Sequence, residues 1–190
     1  MTDLDDARTV TLPGAGEMPL VGFGTWQLRG SRGYQALRLA LESGFRHMDT
    51  ATMYGNEVEV GRAVADSGLD RREVFITTKL PPGQAGQEQR TLAESLRALG
   101  TDYVDLWLVH WPPRGGTLVR TWERFRQLRD EGLTRAIGVS NYSTSQLDEL
   151  VMATGEAPAV NQIRWAPALH DPKRLAEHRS RPTCAACHNL

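Results

Sequence analysis

Apolar residues along this chain recur in two alternating patterns. One has helical spacing: Tyr34, Leu37 and Leu41 share a face, as do Leu92, Leu96 and Leu99, and Leu147, Leu150 and Val151. The other is a short, nearly continuous run rich in Val, Ile, Leu and Trp, as parallel strands covered on both faces require. These runs predict strands over 45–50, 74–80, 103–110, 136–141 and 159–165, with an earlier one over 20–25. Glycine follows each helical stretch at Gly44, Gly68, Gly100, Gly132 and Gly155, where a helix C-terminus commonly needs left-handed backbone. Helix starts are marked too. Ser143 and Gln146 have capping-box spacing, and Asp171-Pro172 sets a cap before a proline at the first helical position. Residues 9–19, with Pro13-Gly14 at the centre, read as a short hairpin before the first unit. The pattern predicts an α/β chain, a hairpin followed by six strand–helix units with the sixth helix over 172–179, built on a parallel sheet.

Six parallel strands suit a doubly wound sheet and equally three-quarters of an eight-stranded barrel. A dinucleotide-binding doubly wound fold would show G-x-G-x-x-G at its first strand–helix turn. Gly22-Phe-Gly24-Thr-Trp-Gln27 lacks the third glycine, and its two glycines read as close backbone packing at a strand end.

Composition removes several function classes. The 190 residues carry 22 Lys+Arg against 23 Asp+Glu, a net charge of −1, so there is no electrostatic case for nucleic acid or an anionic membrane as partner. No apolar run approaches the roughly 18 residues that span a bilayer, and the acidic start Met1-Thr-Asp-Leu-Asp-Asp does not resemble a signal peptide. Cys184 and Cys187 both fall in the last seven residues, so no disulfide ties the body together, and a cytoplasmic location is expected. Cys184-Ala-Ala-Cys187-His188 matches the haem-attachment spacing C-x-x-C-H. That chemistry belongs to exported chains, and a zinc site would want four ligands in a folded frame. The match reads as coincidence, and no metal is expected.

The reactive side chains fall at one end of successive strands. Asp49 ends the second and Tyr54 follows in its loop; Lys79 is at the end of the third, His110 ends the fourth, Ser140-Asn141 the fifth, and Gln162 lies on the sixth. In a parallel barrel those ends converge on one rim. Singly, each has a structural reading: Asp49 as a helix cap, Lys79 as a solvated loop charge, His110 as a strand end before Trp111-Pro112-Pro113. Jointly they describe a proton-donating site. A tyrosine hydroxyl, with an ordinary pKa of about 10, is a poor acid at neutral pH. A nearby ammonium stabilises its phenolate, and a carboxylate holds the ammonium in place. An imidazole can orient a carbonyl oxygen without carrying charge. A hydride source would complete a reduction.

These residues resemble the aldo-keto reductase family. The resemblance lies in Phe45-Arg-His-Met-Asp49-Thr-Ala-Thr-Met-Tyr54-Gly-Asn-Glu57, Ile76-Thr-Thr-Lys79, Asp105-Leu-Trp-Leu-Val-His110-Trp111-Pro112, Ile137-Gly-Val-Ser140-Asn141-Tyr and Val160-Asn-Gln162, and it covers about residues 8 to 179. It implies a (β/α)8 TIM-type barrel that reduces aldehydes or ketones with NADPH, with Tyr54 as general acid, Lys79 and Asp49 tuning it, and His110 positioning the carbonyl. It also implies that Ser140, Asn141 and Gln162 hold the nicotinamide carboxamide. Thr25 and Trp26 would line the nicotinamide and substrate side, and Trp111 the substrate pocket. Trp107 and Trp122 read as core.

The resemblance stops near Arg179. A barrel of this kind typically needs about 250 residues, so about six of eight units are expected, over 1–179. Residues 180–190 read as an unrelated, disordered tail, as a shifted reading frame or altered terminus would give. A truncated barrel would leave its first and sixth strands as open edges through which chains self-associate. The second expectation for such a chain is an inactive fragment or a non-catalytic binding subunit with a relic site.

Overall fold

The structure, a computed structural model, describes residues 9–113, 118–166, 168, 171–181 and 183–188, apart from the side chains of 174, 175, 179, 185, 187 and 188. The hairpin forms as expected: β1 (Thr9–Leu12) and β2 (Gly16–Pro19) pair antiparallel. Seven parallel strands follow: β3 (Phe23–Gly24), β4 (His47–Asp49), β5 (Phe75–Leu80), β6 (Val104–Val109), β7 (Thr134–Ser140), β8 (Val160–Arg164) and β9 (Cys184–His188). Helices α1 (Gly30–Glu42), α2 (Glu57–Asp66), α3 (Glu88–Leu99), α4 (Leu118–Asp130), α5 (Thr144–Thr154) and α6 (Pro172–Arg179) alternate with them.

Strand order decides between the two architectures left open above. Every strand of the large sheet pairs with its neighbours in sequence, β3 through β9 without reversal. A doubly wound sheet reverses order at its switch point, so this is a partial barrel. Two cores follow from the period-2 alternation of the strands. Trp107, Val109, Ile137 and Val139 point outward to the helix layer, where Trp107 stacks on Phe125 with ring centroids 3.8 Å apart. Phe75, Leu106, Leu108, Ala136 and Val160 point inward and meet Leu12, Ala15 and Met18 of the hairpin. The hairpin thus closes the strand-start end of the sheet and leaves the strand-end side for chemistry.

Local signals hold at most boundaries. Ser143 and Gln146 form the expected capping box, Asp171 accepts the Lys173 N–H, and Gly100 and Gly155 end α3 and α5 in left-handed backbone. The first strand is shorter than the apolar run 20–25 suggested. Leu20 and Val21 are exposed, because among the described residues β3 has one partner, β4, and pairs with it only at Phe23–Gly24.

The larger departure is at the end of the chain. In place of a disordered tail, Cys184–His188 forms a strand parallel to β8, in register Val160↔Cys184 through Arg164↔His188. Among the described residues the sheet edges are therefore β3 and β9, and the sixth strand is covered. Its small residues carry little apolar signal. The edge of β8 supplies the ladder partners, and Cys184 and Ala186 pack against the inner cluster.

One close approach can be tested. A Cβ on Gly61 of α2 would lie 2.3 Å from the carbonyl oxygen of Leu99, whereas one on Gly83 meets nothing within 4 Å. Gly61→Ala is expected to cost about 3 kcal/mol in urea unfolding, with Gly83→Ala changing stability by less than about 0.5 kcal/mol.

Candidate active site

The strand ends carry the site because of side-chain alternation. Phe75, Thr77 and Lys79 share the inner face of β5, as His47 and Asp49 share that of β4, and the registers His47↔Phe75 and Asp49↔Thr77 set the two rows side by side. Lys79 Nζ forms an ion pair with Asp49 Oδ1 and donates to the Thr50 carbonyl at 2.8 Å. The Lys79 side chain is 2% exposed and that of Asp49 15%. The other Asp49 oxygen accepts from Gln162 Nε2, across 113 residues of chain.

Tyr54 ends a 3-10 turn, Thr52–Tyr54, that follows β4. The turn is tied down from two sides. Thr52 Oγ1 donates to the Lys79 carbonyl at 3.0 Å. Buried Asn56 accepts from Thr50 Oγ1 at 2.8 Å and donates to the Thr25 and Leu28 carbonyls at 2.7 and 2.8 Å. The loops after β3 and β4 are thereby locked together. Lys79 Nζ lies 5.4 Å from the centre of the Tyr54 ring, and the His110 ring meets Tyr54 edge-on at 5.8 Å. His110 is held by its backbone N–H on the Leu80 carbonyl at 3.0 Å.

Ser140, Asn141 and Gln162 form a second group. Ser140 Oγ donates to the Gln162 carbonyl at 2.9 Å, and Asn141 Nδ2 donates to Ser140 Oγ at 2.9 Å and to the His110 carbonyl at 3.2 Å. Asn141 has φ 63°, a left-handed conformation that asparagine tolerates better than most residues.

A cleft of about 240 Å³ opens above both groups. Thr25, Trp26, Asp49, Tyr54, His110, Trp111, Asn141 and Gln162 line it, so the structure gathers most of the residues singled out from sequence. Lys79 and Ser140 are instead buried beneath Asp49 and Asn141. Gly24, Met53 and Arg164 also line the cleft. Arg164 had a legible signal, since it stands two residues past Gln162 on one strand and hence on the same face. The Thr25 hydroxyl is buried and has no hydrogen-bond partner among the described residues.

The electrostatics correct one expectation. Lys79 alone would lower the Tyr54 pKa, but the group sits above its ordinary value. Burial is the largest cause, and it outweighs the pull of Lys79, while Asp49 adds a further upward push. Burial also pushes Asp49 upward; Lys79, His47 and the hydrogen bonds from Lys79 and Gln162 overcome it and hold the carboxyl below its usual range. His47, buried beside Thr77, is lowered by desolvation and is neutral at physiological pH. Glu57 is raised by burial despite accepting from Thr78 Oγ1 at 2.6 Å.

A sequence profile described as the Aldo/keto reductase family matches residues 20–190. The chain belongs to the aldo/keto reductase family. An aldo-keto reductase from Mycolicibacterium vanbaalenii is 44% identical over 173 residues, which are 90% of this chain and 62% of that protein. The crystal structure of an aldo/keto reductase from Brucella melitensis superposes with a TM-score of 0.89 at 38% identity, covering 94% of this chain and 71% of that one. That of a Bombyx mori aldo-keto reductase in complex with NADP gives a TM-score of 0.86 at 33% identity, covering 94% and 65%. The chain thus spans about three-fifths of the length of the curated relatives it matches. The family match runs past Arg179 to the last residue, through the segment that holds β9. Among the described residues of this aldo/keto reductase chain, no helix is long and apolar enough to cross a membrane, and no cluster of His, Cys, Asp and Glu could hold a metal ion. Cys187 and His188 of the C-x-x-C-H run have side chains outside the described set.

Proposed function

We propose that this chain reduces aldehydes or ketones to alcohols with NADPH. One observation carries the reading: a tyrosine hydroxyl in an open cleft, with a buried Lys79–Asp49 pair beneath its ring and a histidine at its edge. NADPH, when bound, supplies the hydride that reaches the carbonyl carbon. His110 orients the carbonyl oxygen, and Tyr54 donates its proton there as negative charge develops. The ammonium of Lys79 stabilises the phenolate left behind, and the ion pair with Asp49 fixes that ammonium in place. Trp26, Met53 and Trp111, all exposed at the cleft, supply apolar walls for the rest of the substrate.

The residues present fit the cofactor. Asn141 Oδ1 and Gln162 Oε1 accept no hydrogen bond among the described residues, which leaves two acceptors for a carboxamide NH2. Ser140 Oγ holds the Asn141 amide, Asp49 holds that of Gln162, and Thr25 lines the same cleft. Fluorescence titration of the purified chain with NADPH tests the reading. Saturable binding with a Kd of about 1–100 μM is expected, within the range typical of enzyme ligands. A folded, soluble chain that binds no NADPH at about 1 mM overturns it.

A further inference from the structure

The cleft carries a charge that proton donation does not use. β8 sends Gln162 inward to Asp49, and Arg164, two residues on, projects from the same face about 6–7 Å nearer the strand end. There it lines the cleft and is exposed. Asp49 is paired with Lys79, and the elevated Tyr54 is neutral at physiological pH. Arg164, by contrast, makes no ion pair or hydrogen bond with any described residue. An exposed guanidinium lining a cleft that Trp26 and Trp111 also line is free to take an anion by two parallel hydrogen bonds.

We infer that Arg164 is the anion-recognition residue of this cleft, taking a carboxylate or phosphate on a molecule whose other end lies over Tyr54 and His110. As a statement about substrate, that is a preference for carbonyl compounds bearing an acidic group a short apolar spacer away, and in this form it rests on the proposed reductase function. The anion site itself does not.

Benzoate titration followed by tryptophan fluorescence, without cofactor, tests the site directly, since Trp26 and Trp111 line the cleft. Saturable binding is expected, weakened about 10- to 100-fold in Arg164→Gln, the range for losing a hydrogen bond to a charged group, and partly restored in Arg164→Lys. Absence of binding by the unmodified chain, or equal affinity in Arg164→Gln, overturns the inference. Turnover then locates the anion. If it is the substrate's, the ratio of kcat/KM for 4-carboxybenzaldehyde over benzaldehyde falls by the same factor in Arg164→Gln. If it is a cofactor phosphate, NADPH affinity falls and both aldehydes suffer alike, which keeps the anion site and removes the substrate preference. Benzoate binding without any reduction would end the reductase reading and leave the site standing.

Discussion

Tyr54→Phe is expected to lower kcat/KM for a simple aldehyde by about 10²–10⁴-fold, the usual contribution of a positioned general acid, with NADPH affinity changed less than about twofold. The ring stays, so its edge contact with His110 and its place near Lys79 Nζ survive; only the transferable proton goes. The pH profile is the sharper readout. Burial holds the Tyr54 pKa above its ordinary value, so the protonated donor persists through neutral pH, and activity should fall only on the alkaline side, beyond the ordinary tyrosine range. An activity unaffected by the substitution would remove Tyr54 from the chemistry.

Lys79→Met is expected to be the most damaging change to stability. It leaves Asp49 in a site where its side chain is 15% exposed, with Gln162 as a remaining donor. Stranding one member of a buried pair costs about 3–5 kcal/mol. The pH dependence gives the cause. With Lys79 present, the folded Asp49 pKa lies below its unfolded value, so its stabilisation is complete above that unfolded value, about 3.9, and is lost as pH falls through the folded one. Without Lys79, burial dominates and the folded pKa rises above the unfolded value. The variant should then become more stable relative to the unmodified chain between pH 7 and pH 5 in urea unfolding, because protonation relieves the stranded charge. A stability difference that stays constant over that range would rule out the buried-charge account. Adding Asp49→Asn to Lys79→Met should recover part of the loss.

The elements were largely legible in the chain. The Ser143/Gln146 cap, the glycine ends of α3 and α5 and the alternation that sends Lys79 inward and Trp107 outward are set by residues a few positions apart. β9 was not legible. Cys184-Ala-Ala-Cys187-His188 has weak strand propensity, and what makes it a strand is the ladder that β8 presents to it.

The site divides along the same line. That Asp49, Lys79, His110 and Asn141 fall at the ends of apolar runs, and Gln162 within one, is a local fact, because strand period and helix stops act over a handful of residues. Their meeting is not. Consecutive strand order brings Gln162 onto Asp49 and Arg164 into the cleft, through hydrogen bonds between segments far apart in sequence. The protonation state of Tyr54 belongs to that second level as well. The residues name the charges around it, but desolvation depends on how much water the assembled cleft excludes, and that exclusion reverses the direction Lys79 alone would impose.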